Sequence, residues 1–199
     1  MDKVKKLFAK VQYNSPVVLT YTLLCFVVLL LNMLTRGWTN NYLFSVYSGS
    51  LKDPLFYVRM LGHIFGHANF EHFFNNFIII LLAGPMLEEK YGSKNMIAMG
   101  LITALVTGII HVLIADTRLL GASGVGFTMI LLSSFVNLKR GRIPVTLLLC
   151  VVVFIGREVA NGIMVADNVS RLTHILGGLC GAVFGFYVNK DKLVAPDAA

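Results

Sequence analysis

The chain has 199 residues, of which 56% are hydrophobic and 14% charged, with a net charge of +7. Soluble domains carry about 25% charged residues, so this chain cannot cover a water-soluble globule and is far too apolar to be disordered. Its five prolines exclude collagen-like and proline-rich classes, and its positive charge points to nucleic acid only if the cations are not confined to short loops beside apolar spans.

A membrane-spanning helix needs roughly 20 mostly apolar residues. Six stretches are predicted to span, at 17–34, 72–87, 96–115, 122–138, 143–156 and 172–188, giving an all-α membrane bundle in one domain over 1–199. Residues 1–16 form a short N-terminal segment and 189–199 a tail. Lys3, Lys5, Lys6 and Lys10 before the first span resemble the start of a signal peptide. The apolar run is too long for that, and no small-residue cleavage site follows, so the span is expected to be retained. With both termini on the cytoplasmic side, 11 of the 17 lysines and arginines lie in inner segments, as the positive-inside bias requires. That accounts for the basic charge without a nucleic-acid partner, and a bacterial inner membrane is the expected location. The one long connection, 35–71, lies outside. It is expected to hold structure of its own and to rest on the membrane interface through Tyr42, Phe44, Tyr47, Phe56 and Tyr57. Cys25, Cys150 and Cys180 lie in apolar runs without metal-type spacing, which fits packing residues.

Hydrocarbon penalises polar groups, so those inside the spans are functional candidates. They are His72, Asn75 and Asn76 in the second span, Ser123 in the fourth and His174 in the sixth. At 1.5 Å per residue from the inner boundary, His72, Ser123 and His174 all sit about 22–24 Å up, near the outer surface. The bland readings are helix glue for the asparagines, interfacial side chains for the histidines and a packing residue for the serine. The coincidence of depth argues for one site.

Ser123 stands in Gly121-Ala122-Ser123-Gly124, a sequence that permits a tight turn and close backbone approach. It places Ser123 at a helix N-terminus, where free N–H groups and the helix dipole favour developing negative charge. A serine hydroxyl needs a base, and His174 is the natural one. Gly177, Gly181 and Gly185 follow His174 at spacing four, a ridge of small residues for close helix packing, with Gly126 as a further small contact on the fourth span. His72 and Asn76 share a helix face, and with the Ser123 N–H they can form an oxyanion hole. Asp167 is a weak candidate for a third member, so a Ser–His dyad is the preferred reading.

These residues resemble the rhomboid family of intramembrane serine proteases over nearly all of 17–189. The shared motifs are Gly121-Ala122-Ser123-Gly124, His174 with Gly177 and Gly181, and His72 with Asn76. The resemblance implies Ser123 as nucleophile, His174 as general base, and His72, Asn76 and the Ser123 amide as oxyanion donors. It implies transmembrane protein substrates entering from the bilayer near the second and fifth spans, with no metal or other cofactor. It also implies a structural role for Glu88 with Gly92-Ser93, and an arginine of the first outer loop at Arg59, where Val58 replaces the family's tryptophan. Phe127 matches an aromatic that packs on the catalytic histidine.

Other readings stay open. A metalloprotease would use His63, His67 and His72, but no HExxH is present. His63 and His67 are instead expected in the outer loop above the site, helping water reach it. A small transporter would share the glycine-rich helices, yet neither an inverted repeat nor a membrane-embedded carboxylate relay is visible. A catalytically inactive rhomboid-like chaperone would be expected to lack Ser123 or His174, and both are present.

Overall fold

The computed structural model describes residues 12–139, 142–164 and 168–193, with side chains left out at 154–155, 157–164, 168–171 and 192–193. The helices are α1 (Pro16–Leu34), α2 (Trp38–Tyr42), α3 (Pro54–Gly62), α4 (Phe70–Tyr91), α5 (Ser93–Ile114), α6 (Ser123–Ser133), α7 (Val145–Met164), α8 (Asn168–Val188) and α9 (Lys190–Leu193), with a 3-10 turn at His63–Phe65. No strand occurs among the described residues, only a lone antiparallel bridge between Val46 and Leu119. By length and composition α1, α4 and α5 can each cross a membrane; α6 and the 172–188 part of α8 are shorter apolar helices. Leu82 and Leu113 are 78% and 76% exposed, an exposure of large apolar side chains that suits hydrocarbon rather than water.

The N-terminus of α1 is closed from a distance. Pro16 supplies no N–H at the first helical position. The next two donors, Val17 N and Val18 N, bond Glu88 Oε1 and Oε2 of α4, each at 3.0 Å. Ser93 Oγ donates to Glu88 Oε1 at 2.6 Å, and Gly92, at φ +81°, turns the chain between α4 and α5. Glu88 is buried. It therefore acts as an N-terminal cap for one helix and a latch for the turn after its own. Glu88→Gln removes the negative charge and one acceptor from this cap. It is expected to destabilise the protein by about 1–2 kcal/mol, read as a lower midpoint of thermal unfolding in detergent.

Several helix ends differ from the hydropathy reading; α5 starts at Ser93 rather than 96 and α8 at Asn168 rather than 172. Helix α4 starts at Phe70 because Asn69 Oδ1 caps it by accepting from His72 N at 2.8 Å. It continues to Tyr91 because Glu88, Glu89 and Lys90 are good helix formers. Helix α6 stops at Ser133, short of the expected 138. There the backbone tightens to three-residue bonds, Ser134 N to Leu131 O and Phe135 N to Leu132 O, while Phe135 and Leu138 remain buried. Helix α7 runs on past Gly156 to Met164. A lone glycine lowers helix stability without ending it, and Arg157 and Glu158 are helix formers despite their polarity.

The connection 35–71 carries α2, α3 and the 3-10 turn, as its length suggested. It is fastened to the α5–α6 loop through paired Val46 and Leu119 backbone bonds, both 2.9 Å. Two guanidinium groups meet the Tyr47 ring, Arg59 at 4.5 Å and Arg118 at 4.6 Å from its centroid. Arg59 is buried and bonds Asp53 at 2.9 Å, whereas Val58 points outward and is exposed. The most extensive helix interface is α6 against α8, with α4 on the other side of α6.

Candidate active site

The chain reaches α6 through Gly121, which has φ +128°. A Cβ there would lie 2.7 Å from His72 Nε2 and 3.8 Å from Asn76 Nδ2. Only glycine fits this conformation and this space, so the turn before Ser123 runs directly over both side chains. Gly121 N donates to His63 O at 2.9 Å, and Ala122 N points at His67 Nε2 at 3.4 Å. Two residues of the preceding connection thus fix the loop that presents Ser123. Ser123 itself is the first residue of α6 and is half-buried.

His72 and Asn76 come from the first two turns of α4. Ala68 N approaches His72 Nδ1 at 3.4 Å, and the His67 and His72 rings meet edge to face at 5.2 Å. These contacts direct Nε2 of His72 toward Gly121. Asn76 is buried, and its Nδ2 has no hydrogen-bond partner among the described residues. Asn75, one position earlier, faces outward and is exposed, so it does not join the group.

His174 arrives on α8. Its ring lies 4.4 Å from the Phe127 ring, tilted by 39°, and it is close enough to His72 for the two to interact electrostatically. The approach of α8 depends on the glycine ridge below it. A Cβ at Gly177 would fall on the Gly124 carbonyl, one at Gly181 on the Thr128 carbonyl, and one at Gly185 against the Phe135 ring at 2.5 Å. Backbone therefore rests on backbone. Since Gly124 follows Ser123 and Gly177 lies one turn after His174, the two helices cross beside both residues. Gly126 does not take part. Its open side meets Ile79 and Ile80 of α4 at 3.9 Å, because it lies two residues, and so about 200° around the helix, from Gly124.

A chain of hydroxyls stitches the crossing and was not anticipated from the sequence. Thr128 Oγ1 lies 2.7 Å from Gly177 O and 2.9 Å from Gly124 O. It also lies 3.1 Å from Thr103 Oγ1 of α5. Thr107 Oγ1 donates to Thr103 O at 2.7 Å and meets His63 Nε2 at 3.2 Å. Threonines four apart on an otherwise apolar helix, as at 103 and 107, are the signal that would have found it.

His63 and His67 lie in the outer connection, as expected, but they are buried struts rather than residues that line a water path. His63 Nδ1 meets Met60 O at 3.1 Å and His67 Nδ1 meets Phe65 O at 3.2 Å. Burial pushes both imidazoles down to about 4 from 6.5. Proton uptake therefore favours the unfolded chain, so their contribution to stability is complete above about pH 6.5 and is lost as pH falls toward 4. Thermal unfolding in detergent is expected to drop by many degrees across that window, and His67→Gln is expected to flatten part of the slope. Among the described residues no three His, Cys, Asp or Glu side chains gather to hold a metal ion. Asp167 lies outside the described residues.

A family model described as Rhomboid domain matches residues 55–191, which takes in His72, Asn76, Ser123, His174 and the whole glycine ridge. The chain belongs to the rhomboid family. Rhomboid proteins are generally intramembrane serine proteases that act on membrane proteins within the bilayer, and this rhomboid chain is a membrane-integral, helical bundle. A search of curated proteins returned no match.

Proposed function

We propose that this rhomboid chain is an intramembrane serine endopeptidase that hydrolyses peptide bonds in or near transmembrane segments of membrane proteins. Ser123 Oγ attacks the scissile carbonyl while His174 takes its proton. The oxyanion forms against His72, Asn76 and the Ser123 N–H, at the positive end of α6. His174 then returns the proton to the leaving amine, and a water that gives its proton to His174 attacks the acyl group and releases it, the proton passing back to Ser123 Oγ. A dyad suffices for this chemistry, and it uses neither metal nor cofactor. In this reading one domain over 1–199 crosses a bacterial inner membrane six times with both termini cytoplasmic.

The observation that supports it best is the buried Asn76 Nδ2, which has no partner among the described residues, beside the glycine turn that leads to Ser123. An unsatisfied buried donor costs about 1–3 kcal/mol, and an oxyanion would supply the missing acceptor. Asn76→Ala is accordingly expected to lower kcat by about 10²–10³ while changing stability by less than about 1 kcal/mol, since no bond to Nδ2 is lost. Equal losses of rate and unfolding midpoint would contradict that assignment.

The direct test is cleavage of a tagged transmembrane model substrate by purified protein in proteoliposomes, with a fluorophosphonate to label Ser123 covalently. Cutting together with labelling at Ser123 is expected. A folded protein that neither cuts nor reacts would support the inactive chaperone. Solute flux without cleavage would support a transporter, and cleavage abolished by a chelator would revive the metal reading.

A further inference from the structure

A cavity of about 440 Å³ lies between the first halves of α1 and α5, lined by Val18 and Tyr21 on one side and Met96 and Met99 on the other. Val125 and Met129 of α6 close its inner wall. It opens sideways: Leu24, Ile97 and Leu101 line it and are also exposed at the bundle surface, and a Cβ at Gly100 would meet nothing within 4 Å among the described residues. An apolar space of this size forfeits dispersion contacts if empty, and water has too few partners there to fill it. The apolar groups that surround a bilayer helix in quantity are acyl chains. Three methionines, Met96, Met99 and Met129, give the lining the flexibility to fit one.

The rim at one end is polar, and cationic side chains stand on the same end of the bundle. Thr20 and Ser93 line it, and Tyr13 and Thr20 share a hydrogen bond of 2.9 Å. Lys94 is exposed and stands one turn from Ile97 on the same face of α5. Contacts from Asn189 to Tyr91 and from Phe135 to Phe186 bring the ends of α4, α6 and α8 to this same end of the bundle. Lys90, Lys139, Arg142 and Lys190 therefore gather there with Lys94, against Glu89 and Asp191. Glu88 is already engaged by the α1 cap. Cations at a membrane surface attract anionic lipid.

We propose that this cavity is a binding site for one acyl chain of an anionic phospholipid, whose headgroup lies against Lys94. The site is separate from Ser123 and His174 and stands whether or not the protein is a protease. An acyl chain seated there joins α1 to α5 and α6 where the protein's own side chains leave a gap.

The test uses the full chain in phosphatidylcholine vesicles containing a minor fraction of phosphatidylglycerol with a diazirine in its acyl chain. After irradiation, labels are expected on 96–101 and 21–24. Unlabelled phosphatidylglycerol should compete them away and phosphatidylcholine should not. Gly100→Phe, which fills the cavity, is expected to remove these labels. Lys94→Gln, an exposed change that leaves the packing intact, is expected to reduce the preference for phosphatidylglycerol over phosphatidylcholine about fivefold. Labels spread evenly over outward residues such as Leu82, Leu113 and Val152 would overturn the proposal, as would equal competition by the two lipids. Displacement of the label by a transmembrane peptide rather than by lipid would assign the cavity to a protein partner and likewise overturn it.

Discussion

Ser123→Ala is expected to reduce cleavage of a transmembrane substrate by about 10⁶, because removing the nucleophile of a serine protease removes the acyl-enzyme route altogether. The fold should survive. Ser123 opens α6 and alanine is a good helix former, while the crossing below it is made by Gly124, Thr128 and Gly177. Thermal unfolding is therefore expected to stay within about 1 kcal/mol of the parent. His174→Ala should give a comparable loss of cleavage. It should also lower stability somewhat, since it removes the ring that packs on Phe127. Cleavage that persists in Ser123→Ala at more than a trace would end the nucleophile assignment.

The second large effect concerns a residue whose role is to pack α8 on α6. Gly177→Val would drive a side chain into the Gly124 carbonyl. Overpacking of this kind costs about 1–3 kcal/mol, and more where backbone cannot give way. The relief available is for α8 to move off α6. A displacement of about 1 Å between catalytic groups costs on the order of 10² in rate. Gly177→Val is thus expected to lose both activity and unfolding midpoint. Gly156→Ala is the control: a Cβ there meets nothing within 4 Å among the described residues, and both quantities should hold. Activity unchanged in Gly177→Val would mean that the crossing does not set the distance between Ser123 and His174.

The sequence made the framework legible where a single physical rule governs. Apolar length marked α1, α4 and α5, because hydrocarbon imposes one composition on any helix that crosses it. The glycine ridge at 177, 181 and 185 was readable because its spacing matches the helical repeat, and the residues it meets on α6 fit that face. Hydropathy failed where it changed without a change in backbone. Leu138 is apolar and buried, yet α6 has already tightened into turns by Ser134. Arg157 and Glu158 are polar, yet α7 continues through them. Contacts between distant segments were the least legible. Gly126 had the same composition as its neighbours and faced the other way, toward α4. His63 and His67 had the polarity of a loop exposed to water, and their burial depends on partners at Thr107 and Ala122 that no local pattern announces. At the site, the residue types and their order were visible. The turn at Gly121 that gathers His72 and Asn76 was visible only as a glycine.

The distant cap on α1 bears on how the chain assembles during synthesis. Val17 and Val18 leave the ribosome about seventy residues before Glu88, whose carboxylate takes both their N–H groups. Until then those two N–H groups lack the acceptor they bond in the folded protein and are left to water or lipid headgroups at the bilayer edge. The first span can therefore insert and begin to pack early, while the closing of its leading end waits for the end of α4 to be made. Chains stopped before residue 88 should leave the leading end of α1 frayed and open to proteolysis, and chains stopped soon after Ser93 should not.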